Sequence, residues 1–145
     1  MRVTLADLAA TERFAAGVAA AMRPGDAILL SGPLGAGKTA FARALLRAAA
    51  ADPTLEVPSP SFTLVQSYAT HRGTVHHFDL WRLDGPEALT ELGWDDARDD
   101  IVLVEWPDRL GARAPADALR LEFALAEADV RMLRVDGWSG RFPNP

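Results

Sequence analysis

At 145 residues, with 49% hydrophobic residues and a formal net charge of -5, the chain has the size of one domain built on a single buried core. It carries no cysteine, which excludes disulfides, thiolate metal sites and a cysteine nucleophile. The acidic balance argues against a broad, electrostatically driven nucleic-acid surface, which needs many phosphate-neutralising cations. No apolar run approaches the roughly 20 residues of a membrane span, and the N-terminal stretch lacks the charged-then-apolar layout of a signal peptide. The expectation is a soluble, cytoplasmic domain with no membrane partner.

In chain order, Thr4 to Met22 is predicted as an amphipathic helix, with Asp7 as N-cap and Ala10, Phe14, Val18 and Met22 on one face. Pro24-Gly25-Asp26 turns the chain into a strand, Ala27-Ile28-Leu29-Leu30. Gly32 to Thr39 then fits G-x-x-x-x-G-K-[ST], between a strand and a helix, where a phosphate-cradling loop must sit. Gly32, Gly35 and Gly37 can take backbone angles closed to other residues, so successive N–H groups can turn inward on a polyphosphate at the positive end of the next helix. Lys38 supplies a compact cation for the β and γ phosphates, and Thr39 a hydroxyl for Mg²⁺. Of the 15 basic residues Lys38 is the only lysine, which marks a position where a point charge is wanted.

The loop's own helix is predicted from Thr39 to Ala51, with Phe41 and Leu45 on its buried side and Asp52-Pro53 closing it. Val57 to Val65 begins as an extended surface loop set by Pro58 and Pro60, and its hydroxyls on Ser59, Ser61 and Thr63 offer oxygens to a γ-phosphate or its metal. A plain loop leading into a strand is the alternative. Phe62 to Tyr68 and Thr74 to Phe78 are predicted strands of a hairpin, ending at Asp79. Asp84 to Glu87 looks like a helix start, with Pro86 inside the first turn, and Trp94 to Asp100 reads as a solvated connection. Ile101-Val102-Leu103-Val104 is predicted as a central parallel strand buried on both faces. It ends in Glu105, at the carboxyl edge where open α/β sheets place their ligands. Leu119 to Leu125 and Val130 to Val135 form a second predicted hairpin, and residues 137–145 an irregular tail whose Trp138 and Phe142 are candidates to dock on the body of the domain.

The predicted fold class is therefore α/β, a single P-loop NTPase-like domain over residues 1–136 with a mainly parallel central sheet, flanking helices and antiparallel hairpins. A divalent ion at the loop needs oxygens besides Thr39, and two acids stand at strand ends, Asp79 and Glu105. Either suits Mg²⁺ or an attacking water; Glu105, on the more apolar strand, is the first choice for metal, while Asp79 also suits a turn cap. Arg82 suits either transition-state charge or an ion pair. His76 and His77 are adjacent in a strand and point to opposite faces, so they cannot form a two-His metal site, and packing or exposure is the default for both. Trp81 and Trp106 suit stacking on a ligand or ordinary burial.

Four ordered motifs, Gly32 to Thr39, Ser59 to Leu64, His77 to Leu83 and Glu105 to Pro107, resemble those of the bacterial TsaE family, also called YjeE. The resemblance implies an ATPase, using ATP and Mg²⁺, that is accessory to the threonylcarbamoyl modification of adenosine 37 in tRNAs reading codons that begin with A. It implies partners TsaB and TsaD, whose complex ATP hydrolysis resets, with tRNA held mainly through those partners. Carried over, Thr39 and Glu105 become Mg²⁺ ligands and Gly35, Ala36, Gly37, Lys38, Thr39 and Ala40 the phosphate-binding run. Asp79 becomes a catalytic or nucleotide-contacting acid beside the catalytic Lys38 and Glu105. Ser59, Ser61 and Thr63 become a nucleotide-sensing switch, and Leu8 to Thr11 a region near the adenine. This sequence departs from the pattern at Pro33, Ala40 and Trp81, and its turn Glu127-Ala128-Asp129 holds no arginine. A small-molecule kinase and a nucleotide-dependent binding module are the alternatives from other classes; no insertion suits a kinase lid.

Overall fold

The computed structural model describes residues 1–141; Phe142 lies outside the described residues. Seven strands form one mixed sheet: β1 (Arg2–Leu5), β2 (Ala27–Ser31), β3 (Val65–Thr70), β4 (Gly73–Asp79), β5 (Ile101–Glu105), β6 (Leu119–Leu125) and β7 (Arg131–Asp136). Their spatial order is β1-β7-β6-β2-β5-β4-β3. The four central strands β6, β2, β5 and β4 run parallel, and β3, β7 and β1 are added antiparallel to their neighbours at the two sides. The fold class expected from the sequence is the one observed.

Alternation along the strands divides the core between the two sheet faces. Ile28, Leu30, Val75, Ile101, Leu103 and Leu121 pack on one face against α1 (Leu8–Ala21) and α2 (Lys38–Ala50). Phe41 anchors α2 there, with its ring centroid 6.1 Å from Phe14 of α1 and 5.8 Å from Phe123 of β6. Leu29, Phe78, Val102 and Val104 face the other way, toward α3 (Ala88–Glu91) and α4 (Trp94–Ala97). All five residues of β5 are buried, as expected of a strand covered on both sides.

Several boundaries differ from the sequence expectation. Asp7 is the N-cap, its carboxylate accepting the Ala10 N–H at 2.9 Å, but α1 starts at Leu8, and residues 2–5 form a strand because pairing with β7 buries Val3 and Leu5. The first strand of the β3–β4 hairpin begins at Val65 rather than Phe62, whose ring is 82% exposed. Pro86 precedes α3 rather than entering its first turn. The stretch 94–100 is not simply a solvated connection: α4 presents Trp94, 2% exposed, edge-on to Phe78 at 5.2 Å, while Asp95, Asp96 and Asp99 stay in solvent. Trp138 of the tail does dock, and Arg141 stacks on it at 4.0 Å while pairing with Asp26 at 2.7 Å.

Candidate nucleotide site

The loop between β2 and α2 stands at the carboxyl end of the parallel strands. Gly32, Gly35 and Gly37 all have positive φ (132°, 78° and 107°), a conformation cheap only for glycine. At Gly32 space matters too, since a Cβ would collide with the Phe123 carbonyl oxygen. Gly37 is the N-cap of α2 and no side chain caps that helix, so its first-turn N–H groups and the positive end of its dipole are left for an anion. Lys38 follows at once, 4% exposed. Its Nζ donates to the Gly32 carbonyl oxygen and lies 3.8 Å from the centroid of the Trp106 ring. It forms no ion pair among the described residues. Burial pushes the Lys38 ammonium below its usual range, with Glu105, Asp79 and Asp108 pulling the other way.

Asp79 and Glu105 are direct neighbours across the parallel ladder of β4 and β5, and both are buried. The sequence reading put each at a strand end; the sheet order puts them side by side. Their hydrogen bonds differ. Asp79 accepts the Trp81 N–H at Oδ1 (3.1 Å) and the Ser61 hydroxyl at Oδ2 (3.4 Å), so it caps a turn and ties down the serine-rich loop at once. Glu105 Oε2 lies 2.8 Å from Nε2 of His77, and both side chains are almost fully buried. A carboxylate only accepts, so Nε2 carries the proton. The His77 partnership was missed from the sequence, where packing was the default; strand alternation does bring His77 to the face of Glu105.

Ser59 and Ser61 share a hydrogen bond at 2.7 Å, and Ser61 passes it on to Asp79. Thr63, exposed, accepts from Gln66 at 3.3 Å and stands outside that chain. Trp106 has a left-handed backbone (φ 61°, ψ 55°) and its ring lies 4.3 Å from that of Trp81, so the two indoles form a wall beside Lys38. Arg82 pairs with no acid among the described residues; its guanidinium lies over Phe62 at 4.8 Å.

Thr11 is buried in α1, where its hydroxyl reaches back to the Asp7 carbonyl oxygen at 3.5 Å. Leu8 and Ala40 instead line a groove of about 520 Å³ along the outer side of α2, together with Arg43 and Arg47. His76 lies on the opposite face from His77 and bridges Ser67 (2.7 Å) and Asp100 (2.9 Å). Arg131 of β7 was also not singled out from the sequence: a Cβ on Gly37 would stand 3.5 Å from its Cγ, so its side chain borders the loop. Only the sheet order, which brings β7 around to α2, discloses it.

A protein-family model described as "Threonylcarbamoyl adenosine biosynthesis protein TsaE" matches residues 5–133. The chain belongs to the TsaE family. It is 34% identical over 126 residues to the tRNA threonylcarbamoyladenosine biosynthesis protein TsaE of Rickettsia bellii (strain RML369-C), covering 86% of this chain and 87% of that one. The protein of the same name from Aquifex aeolicus (strain VF5) is 34% identical over 125 residues with the same coverages. Among solved structures, the crystal structure of YdiB from Bacillus subtilis superposes with a TM-score of 0.77 at 25% identity, covering 98% of this chain and 88% of that one. The TsaE match takes in the loop, both strand-end acids, the serine segment and Arg131. TsaE proteins serve the biosynthesis of threonylcarbamoyladenosine in tRNA, and no helix of this TsaE chain is long and apolar enough to cross a membrane.

Proposed function

We infer that the chain is a Mg²⁺-dependent ATPase of tRNA threonylcarbamoyladenosine formation, which hydrolyses ATP to reset a TsaB–TsaD complex, meets tRNA mainly through those partners and works in the cytoplasm. The observation that carries the nucleotide part is Lys38: a buried ammonium that forms no ion pair among the described residues stands at an uncapped helix start, within the electrostatic reach of two strand-end acids. The uncapped N–H groups at that helix start, with the ammonium beside them, suit a polyphosphate.

The residues also fit Mg²⁺. Among the described residues no group of three or more acidic or histidine side chains could hold a metal, and Mg²⁺ at phosphates asks for less: one or two protein oxygens, the rest from phosphate and water. Thr39 and Glu105 are the residues that would hold it, and the ion would supply neutralisation of charge on the phosphate oxygens. The run Gly35 to Ala40 presents backbone N–H groups to the phosphates, and Lys38 adds a charge-assisted contact. Asp79 orients the water: a bond forms from its oxygen to the γ-phosphorus, the bond to the bridging oxygen breaks, ADP keeps the electron pair, and the proton ends on the released phosphate. Because Asp79 also holds Ser61, occupation of the site reaches Ser59 and Ser61 directly, and Thr63 through the same loop.

Phosphate release from ATP, followed with the full chain alone and with TsaB and TsaD, tests this. The partners should stimulate release in the wild type, and Glu105→Ala should lower the rate by about 100-fold or more, the scale expected for loss of an electrostatic catalytic group. ATP consumption only on addition of a small acceptor would make it a kinase and overturn the proposal. Tight ATP binding without turnover, with partners present, would leave a binding module in its place.

A further inference from the structure

His77 is an unexpected occupant of its position. On the same face of β4 and β5 its neighbours Val75, Ile101 and Leu103 are all fully buried and apolar. His77 is 1% exposed, and its Nδ1 has no hydrogen-bond partner among the described residues. Burying an imidazole with one nitrogen unsatisfied costs stability that an apolar side chain would not. The imidazole is explained by its other nitrogen, which donates to Glu105 Oε2 at 2.8 Å.

Glu105 needs that donor. A glutamate has three side-chain torsions to fix, and its strand neighbour Asp79 cannot help, since an ionised acid only accepts hydrogen bonds. Among the described residues His77 is the hydrogen-bond partner of the Glu105 carboxylate, and the bond takes one oxygen while leaving Oε1 for a ligand. Metal-holding carboxylates depend on such outer hydrogen bonds for their orientation. We propose that His77 is a positioning residue of the nucleotide site, whose Nε2–H fixes the Glu105 carboxylate in the orientation that meets the divalent ion. This rests on the assignment of Glu105 and Thr39 to Mg²⁺ made above.

Two variants of the full chain separate this role from packing. In His77→Gln the amide nitrogen reaches about where Nε2 stands; in His77→Asn it stops near Nδ1, away from Glu105. Binding of a nonhydrolysable ATP analogue is measured by calorimetry in EDTA and in Mg²⁺, and Mn²⁺ binding to the same complex by electron paramagnetic resonance. His77→Gln should keep metal affinity near the wild-type value, and His77→Asn should lose about 10–100-fold. Both should bind the metal-free nucleotide normally and unfold at the same temperature. Equal metal affinity in the two variants, or a loss in His77→Asn that tracks a lower melting temperature and weaker metal-free binding, would overturn the role of His77 alone. A wild-type protein whose nucleotide binding ignores divalent ions would overturn the assignment of Glu105, and this inference with it.

Discussion

An ammonium as deeply placed as that of Lys38 weakens the free protein until an anion arrives. Burial lowers its pKa from 10.5, so between the lowered value and 10.5 the unfolded chain binds more protons than the folded one. Stability contributed at this residue therefore rises with pH through that window, and the penalty is full below it. Lys38→Met removes both penalty and contact. The variant should bind ATP about 10–100-fold more weakly, as loss of a charge-assisted hydrogen bond predicts. Without nucleotide it should melt no lower than the wild type at neutral pH, an advantage that shrinks as pH approaches 10.5. Calorimetric titration and melting curves at several pH values check both; unchanged ATP affinity would mean that the loop is not the site. Lys38, Thr39 and Glu105 were legible in the sequence because a loop motif and a strand end are local patterns. The hydrogen bond from His77 to Glu105 was not, since it spans 28 residues and requires knowing that β4 lies beside β5. Alternation alone said only that His76 and His77 part company.

At the scale of elements, the segment before β3 is held to the sheet at two levels. Its backbone is anchored by Leu64 N–H to the Pro60 carbonyl (2.7 Å) and Asp79 N–H to the Leu64 carbonyl (2.9 Å). Among the described residues its side chains are hydrogen-bonded to Asp79 through Ser61. Ser61→Ala should leave the backbone anchors intact and loosen the rest, by about 1 kcal/mol or roughly five-fold in local opening. Hydrogen exchange should show faster exchange over residues 59–63 with β4 and β5 unchanged; uniform acceleration across the sheet would contradict it. Element boundaries were the less legible part of the sequence. Four residues of β1 carry too little alternation to stand apart from the helix that follows. In α4 the aspartates on the solvent side masked the helical spacing of Trp94 and Ala97 on the buried side.

For the molecule as a whole, the tail is tied to the core through Trp138 and Arg141. Trp138 is buried with the helix-side cluster, and Arg141 closes over it while its guanidinium bridges to Asp26 and to the Ala21 carbonyl at the end of α1. Trp138→Ala should cost about 3 kcal/mol in denaturant unfolding, with ATP affinity retained because the tail is remote from the loop; a cost under 1 kcal/mol would show that the indole merely lies on the surface. The sheet order has a consequence for how such a molecule is made. Arg2 to Leu5 pair with residues 131–134, so during synthesis β1 has no sheet partner until β7 has been made. Closure of β1 on β7 joins residues 2–5 to residues 131–134, the kind of contact whose loop entropy makes it form late. Until then Val3 and Leu5, buried in the finished fold, belong to a strand whose backbone groups have no sheet partner.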